Sequence, residues 1–572
     1  MHEMSNYEKT RYGIITLALE KMIKENKDFK NLLFFICLIN SQDILKEMLE
    51  FFKEADLVES FIYYLKKNSL ATHDLIGIND KKIPVISLHR STQKISLSFL
   101  MNILTEEEKI DLIRKIMSSL MEFQDYYLKK NCNYVIKLIN HLETFHRKLE
   151  QINLSSNFRE KRKQDLFLML GYAYQDCFEN SLIAYEYFKN LININERSRH
   201  ISNERMAVVL KDLGKVCVRL GEIDASIKYC QESLKLCNTL PNLEFITVLN
   251  LKILGTAWSQ KNNLETGNFY FMEAIKKSSD IKDPLLRREI QASIYKNMAW
   301  NYSKKYLNKP EAQEAEKYAL KSLETLNALD TLHKNLSKYP HKISPCILRG
   351  KETLGKVYCR LGKYDEALEK GFKDAQFILD NNLDGHLHFL SKAYMLLGRG
   401  EIYLRTGYPQ KAEEELTESI QLSEKLAGNF DALQPRVFRA EARIALGKLN
   451  EAYEDCITAI KTERKISHNY FNLMYFTAYY HAALIKYKQH QYKLSAEHFT
   501  DFLKAMKEFC RTFLDAKDYE VLEGKRVFDK FNPHKNSEDF NCSMYLKRSA
   551  EIFTSIYGEH HPFIKDYIKN NK

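Results

Sequence analysis

The stretch "GKVYCRLGKYDEALE", residues 355–369, decides how this chain folds. It places two glycines seven residues apart in otherwise helix-forming sequence and then runs into Tyr-Asp-Glu-Ala. A glycine inside a helix costs about 1 kcal/mol relative to alanine. Gly355 is tolerable where its missing side chain lets a neighbouring helix come close, and Gly362 stands at the helix end, where a left-handed cap favours glycine. Leu354, Val357, Tyr358 and Leu361 recur at helical spacing as one apolar stripe. Tyr364 then begins a return helix, and Ala367 supplies a small contact where the second helix crosses the first. The stretch therefore reads as a helical hairpin, which cannot bury its own face alone. A phosphate loop needs Gly-x-x-x-x-Gly-Lys-Ser/Thr after a strand. Here Gly362-Lys363 runs into Tyr364 between helices, and the motif occurs nowhere in the chain.

The hairpin recurs. Aligned on the small residue of the first helix, matching segments lie at 170–188, 213–234, 254–275, 354–372, 399–420, 439–460 and 482–503, with a looser copy at 298–323. The anchors Gly171, Gly214, Gly255, Ala299, Gly355, Gly400, Ala440 and Ala483 are 43, 41, 44, 56, 45, 40 and 43 residues apart. Stacked copies bury the face that each hairpin leaves open. The Leu-Gly, Tyr, Gly, Tyr and Ala-Leu pattern at 354–368 resembles the tetratricopeptide repeat. The spacing exceeds that family's usual period of about 34 residues, and resembles the long-repeat arrays of kinesin light chain-like proteins. The phrase IYGEHHPF (556–563) resembles the ending of such repeats. The resemblance implies an all-α fold: a right-handed α-solenoid of about eight hairpins plus a terminal helical cap over residues 166–572.

Residues 1–100 break the pattern. Helical runs at 31–39, 43–52 and 56–68 precede β-like segments at 70–78 and 82–89, with Asn79-Asp80 as the turn and a helix resuming at Ser91. This order predicts a small winged-helix domain with a two-stranded wing. A helical connector follows at 101–165, where Thr105 and Glu108 have the spacing of a capping box. VISLHRSTQ (85–93) resembles the closing winged-helix subdomain of NB-ARC (STAND) signalling ATPases, many of which carry tetratricopeptide arrays downstream. In that family a histidine at the end of this strand touches the β-phosphate of bound ADP, and the matching position is His89. The local Ser87-Leu88-His89-Arg90 departs from the family's Met-His-Asp. The nucleotide-binding core would lie upstream, and without it His89 has no phosphate loop to complement, so no cofactor is expected. A winged helix also offers 56–68 as a recognition helix. That helix opens with Asp56 and Glu59 and carries bases only at Lys66 and Lys67, where a DNA reader needs Arg, Asn or Gln at its start. Nucleic acid is not an expected partner.

Composition agrees with long helices: 45% of residues are hydrophobic, with only 10 prolines and 19 glycines in 572. The 86 Lys and Arg exceed the 75 Asp and Glu by 11, too mild a surplus to imply nucleic acid. Eleven cysteines include no Cys-x-x-Cys pair, and Cys217, Cys230, Cys359 and Cys456 fall at apolar helical positions, which reads as small buried hydrophobes in a reducing compartment. The N-terminus is no signal peptide, and the apolar run at 32–39 is too short for a bilayer, so a cytoplasmic location is expected, with secretion into a host cell left open. No His-Glu-x-x-His or Gly-x-Ser-x-Gly motif occurs. His141/His146, His386/His388 and His560/His561 lack carboxylate or thiol partners at ligand spacing, and HHPF (560–563) lacks the glycine-rich anion nest of the AMP-transferring motif it begins like. No metal and no enzymatic activity are expected. FREKRKQD (158–165) reads as a solvated helix start, with a contact patch as the alternative.

By the resemblance, residues three before, one after and five after each anchor line a concave groove. These are Lys211, Lys215, Arg219, Lys252, Lys296, Lys304, Lys356, Arg360 and Arg405, against Glu352, Glu401 and Glu441. Nine basic residues to three acidic ones predict a partner protein or acidic peptide segment. The chaperone-tail clamp of some tetratricopeptide domains needs paired Lys and Asn in adjacent repeats, and Lys211 and Lys215 followed by Ile253 do not supply it. The expected function is a non-enzymatic interaction scaffold. The alternatives are the regulatory part of an NB-ARC-type ATPase lacking its nucleotide-binding core, and a winged-helix transcription regulator or peptide receptor.

Overall fold

The computed structural model describes residues 6–502 except for short stretches at 79–80, 131, 178–179, 199, 262, 305–308, 337–339, 382–384, 427–431, 467–472, 492, 496 and 499–500. The chain forms two compact units, Met1–Ser202 with the short segment 384–386, and the remainder from Asn203 onward.

The first unit runs α1 (Asn6–Glu25), α2 (Phe29–Leu38), β1 (Ile44–Leu45), α3 (Lys46–Glu50), α4 (Ala55–Lys67), β2 (Ala71–Ile78), β3 (Lys81–Leu88), α5 (Arg90–Ile103), α6 (Glu106–Lys130), α7 (Cys132–Gln151), α8 (Ser156–Asp176) and α9 (Ser181–Ser198). β2 and β3 form the expected antiparallel pair, from Ala71 opposite Leu88 to Ile78 opposite Lys81. Their Asn79-Asp80 turn lies outside the described residues. The expected helix at 43–52 is corrected. Ile44 and Leu45 pair with Ile86 and Val85, making a three-stranded sheet in the order β1-β3-β2, and the helix starts only at Lys46. Asp43 has φ 55°, which a right-handed helix cannot pass through, and its N–H donates to Ser87 Oγ at 3.1 Å. Both apolar side chains of β1 are fully buried by this pairing.

α2 is buried over nearly its whole surface, so its final carbonyls cannot reach water. Two side chains satisfy them. Gln93 Nε2 on α5 donates to the carbonyls of Ile36 (2.7 Å) and Ile39 (2.8 Å). Lys148 Nζ on α7 donates to those of Cys37 (2.7 Å) and Ile39 (3.1 Å) and to Gln93 Oε1 (2.9 Å). Burial lowers the Lys148 ammonium to about 8. The capping box forms as read: Glu108 N–H donates to Thr105 Oγ1 (3.2 Å), and Thr105 N–H donates to Glu108 Oε2 (2.9 Å).

The second unit runs α10 (Asn203–Leu220), α11 (Ile223–Cys237), α12 (Glu244–Gln260), α13 (Leu264–Ser278), α14 (Pro284–Lys304), α15 (Lys309–Leu336), α16 (Pro340–Arg360), α17 (Tyr364–Glu366), a π-turn at Ala367–Lys373, α18 (Asp374–Asn381), α19 (Gly385–Arg405), α20 (Pro409–Leu426), α21 (Leu433–Ala445), α22 (Leu449–Ile466) and α23 (Leu473–Lys488). This is a solenoid of helical hairpins, each packing on its own partner helix and on the next hairpin. The close approach read at Gly355 is present. A Cβ there would lie 2.8 Å from the Phe372 ring, as one on Gly255 would lie 2.6 Å from Phe271 and one on Gly400 2.6 Å from Leu416. Leu354, Val357, Tyr358 and Ala367 are buried in one cluster with Phe372, and Leu361 packs against it. Gly362 has φ +72°, and the hairpin turns at Gly221, Gly407 and Gly447 repeat that left-handed cap. The terminal cap expected beyond residue 502 lies outside the described residues.

Candidate functional site: the first-helix face of the second unit

Successive first helices touch one another in the pairs α10–α12, α12–α14, α14–α16 and α21–α23, whereas among the described residues the second helices make no comparable contact. The first helices therefore line the tighter side of the stack, the face on which the sequence places its basic residues.

Lys211, Lys215 and Arg219 follow one another at one-turn intervals on α10, each half-buried. Lys211 Nζ lies 2.7 Å from Asp212 Oδ1, and both side chains are largely shielded. Lys252 on α12 crosses to α14, where its Nζ donates to Ser293 Oγ at 2.6 Å. One turn further, Asn297 Nδ2 donates to Thr256 Oγ1 at 3.2 Å. These two polar rungs bind α12 to α14, and Lys296 stands beside them on α14, half-buried. On α16, Lys356 Nζ lies 2.5 Å from the buried Glu352 carboxylate, 4.5 Å from the Tyr394 ring centre and 6.0 Å from that of Trp300. Arg405 on α19 donates to Glu441 Oε1 on α21 at 2.7 Å, with its guanidinium 5.9 Å from the Phe438 ring. The side chains of Lys304 and Arg360 lie outside the described residues.

The structure thus brings Lys215, Arg219, Lys252 and Lys296 onto three adjacent helices. Carboxylate partners stand beside Lys211 (Asp212), Lys356 (Glu352) and Arg405 (Glu441), and Ser293 accepts from Lys252. Asp212 escaped the sequence reading because neighbouring helical residues do not ordinarily face each other, and here the lysine stem folds back to reach it. Trp300 and Tyr394 escaped because only charged side chains were read from this face. Trp300 sits one residue after its anchor Ala299, a lining position by the same rule.

Elsewhere the singled-out residues have structural partners. His89 is the N-cap of α5: Nδ1 accepts the Ser91 N–H at 3.3 Å, with Ser91 Oγ at 2.6 Å and Arg11 Nη2 at 3.2 Å. In 158–165, Arg162 pairs with Asp165 (3.2 Å) and Lys163 with Glu150 (2.8 Å). His141 is buried against the Asp43 carbonyl (Nε2 at 3.2 Å), and burial lowers it to about 4. His146 packs on Phe167. The His386/His388 side chains and His560/His561 lie outside the described residues. Burial pushes the thiols of Cys37, Cys217 and Cys230 up to about 12, so they stay protonated and unreactive. No helix among the described residues is long and apolar enough to cross a membrane.

No protein-family model and no curated protein matches the chain. Among solved structures, it is similar to a Signal Transduction ATPase with Numerous Domains protein with a tetratricopeptide repeat sensor from Pyrococcus horikoshii, at 14% identity and TM-score 0.45, covering 90% of this chain and 68% of that one. It is also similar to a Rap protein complexed with competence and sporulation factor (14% identity, TM-score 0.44, 68% of this chain and 99% of that one). A third similarity is to the apo form of the quorum sensor NprR from B. thuringiensis, at 17% identity and TM-score 0.38, covering 71% and 98% of the two chains.

Proposed function

We propose that the protein is a non-enzymatic scaffold whose second unit binds an acidic peptide segment of a partner protein along its first helices. One observation carries this reading: Lys215 and Arg219 on α10, Lys252 on α12 and Lys296 on α14 all stand at lining positions of three adjacent helices, Lys252 and Lys296 at the same one. A ladder of cations along a narrow face favours an extended anionic chain over a compact ligand, because successive carboxylates meet successive rungs. The test is fluorescence anisotropy with labelled peptide pools of Asp/Glu-rich, neutral and Lys-rich composition. The acidic pool binds, weakens as salt rises, and is lost in the quadruple variant K215E/R219E/K252E/K296E. Equal affinity for all three pools, or acidic binding that survives charge reversal, refutes the reading.

A second reading rests on the first unit, whose helix–strand–helix–helix–hairpin order from α2 to β3 supports the winged-helix expectation. It takes the chain as the regulatory part of a nucleotide-dependent signalling ATPase lacking its nucleotide-binding core. The exposed side of α4 carries Asp56 and Glu59, and Lys46 holds Glu59 at 2.6 Å, which favours a protein-facing module over a DNA reader. ADP at 100 times its Kd would stabilise a competent site by about 2.7 kcal/mol. A melting curve that ADP shifts neither for the chain alone nor with a separate nucleotide-binding subunit added removes this reading and leaves the groove reading standing.

A further inference from the structure

We propose that the π-turn at Ala367–Lys373 is the compliant joint of the second unit, produced by one inserted residue and held by Phe372 acting as a spacer between two first helices. The inference begins with a comparison of hairpins. Counting from the first residue of the second helix, the third residue onward is small and buried: Ser226, Gly267, Ala412 and Ala452. The seventh rests on the anchor of the first helix: Cys230 on Gly214, Phe271 on Gly255 and Leu416 on Gly400. The tenth is buried again: Ser233, Ala274, Ser419 and Ala459.

The hairpin of α16 keeps the first of these positions and displaces the others. Counted from Tyr364, the third residue onward is Ala367, as elsewhere. The residue resting on Gly355 is the eighth, Phe372, and the next small buried one is the eleventh, Ala375. Because the offset persists, one residue has been added, and the π-turn is where the helix absorbs it. Only glycine fits in the seventh place: a Cβ on Gly371 would overlap the Gly355 backbone. The Phe372 ring bears on Gly355 of α16 from one side and Gly398 of α19 from the other, and a Cβ on either glycine would meet it.

One aromatic ring thus sets the separation of two adjacent first helices, within a π-turn, a conformation that interrupts the regular α-helical ladder. Beyond the turn, Asp374 holds Lys351 of α16 at 2.6 Å, but this pair is solvent-accessible and holds weakly. The joint therefore lies behind α16, the helix that carries Lys356. Opening there moves α16 against α19 without unstacking the hairpins on either side.

The test is amide hydrogen exchange and thermal melting on the full chain with three variants. Deleting Gly371 restores the register of the other hairpins, so exchange across 367–377 slows about tenfold and the melting midpoint stays at or above the parent's. Deleting Tyr270, the sixth residue onward in α13, breaks a register that is already regular and lowers the midpoint. Phe372→Ala accelerates exchange in 364–381 and 385–405 while the rest of the unit keeps the parent's protection. The proposal is overturned if loss of Gly371 prevents folding or destabilises as much as loss of Tyr270. Unchanged exchange in the Gly371 deletion also overturns it, as does loss of protection throughout the second unit in Phe372→Ala.

Discussion

Replacing Asp455 by asparagine should weaken the second unit far more than replacing Glu424 by glutamine, although both carboxylates serve Arg436. Asp455 is 3% exposed at its side chain and accepts from Arg439 through both oxygens, Nη2 to Oδ1 at 2.6 Å and Nε to Oδ2 at 2.8 Å. Arg443 Nη1 adds a contact at 2.8 Å and Arg436 Nη1 one at 3.5 Å. Arg443 and Lys448 also hold Glu413, at 3.0 and 2.6 Å. Burial works to raise the Glu413 carboxyl, and Lys448 and Arg443 more than offset it, keeping it below its ordinary value. Removing one partner of a buried ion pair costs about 3–5 kcal/mol. The three arginine side chains keep 12–18% exposure, so water recovers part of that, and asparagine preserves shape and one acceptor. The expected loss for D455N is about 2–3 kcal/mol. Glu424 is 38% exposed, which places E424Q within about 1 kcal/mol of the parent. Because stacked hairpins exchange energy only with their neighbours, the loss should centre on 409–460. Denaturant midpoints measure its size, and amide exchange of α20, α21 and α22 its location. D455N within about 0.5 kcal/mol of the parent, or indistinguishable from E424Q, would refute the reasoning.

The two glycines of the opening stretch should respond in opposite orders. At Gly362, with φ +72° and open space around it, Asn should be tolerated better than Ala, since Asn enters the left-handed region more readily. At Gly355, Ala should be tolerated better than Asn: overpacking against the wedged Phe372 costs about 1–3 kcal/mol and grows with side-chain size, against about 1 kcal/mol of helix propensity regained by Ala. Melting midpoints of the four variants decide it, and the same order at both sites would contradict the packing account. In the first unit, burial keeps His141 unprotonated down to about 4, while the unfolded chain binds a proton there near the ordinary value of 6.5. Between these values the unfolded state holds the extra proton, so stability is present above 6.5 and falls as the pH drops toward 4, by about 3 kcal/mol in all. H141Q should flatten that part of the pH dependence, and an unchanged slope in urea titrations from pH 7 to 4 would count against the assignment.

The hairpin repeat was legible in the chain because local rules write it: a glycine where helices touch, a glycine where the turn needs a left-handed residue, and apolar residues every three or four positions. The capping box at Thr105 and Glu108 was legible for the same reason, since its two hydrogen bonds join residues three apart. What was not legible depends on partners distant in sequence. Ile44 and Leu45 read as helix until Ile86 and Val85 come alongside. Glu441 was counted opposite the bases of the first-helix face, but that it pairs with Arg405, 36 residues before it, shows only once α19 and α21 lie side by side. Phe372 was one more apolar residue until Gly355 and Gly398, from two different helices, formed its slot. Backbone conformation and periodicity are decided within a few residues and survive in one dimension. Which charges pair with which, and where a helix must admit an extra residue, is decided by what the folded chain brings within a few ångströms.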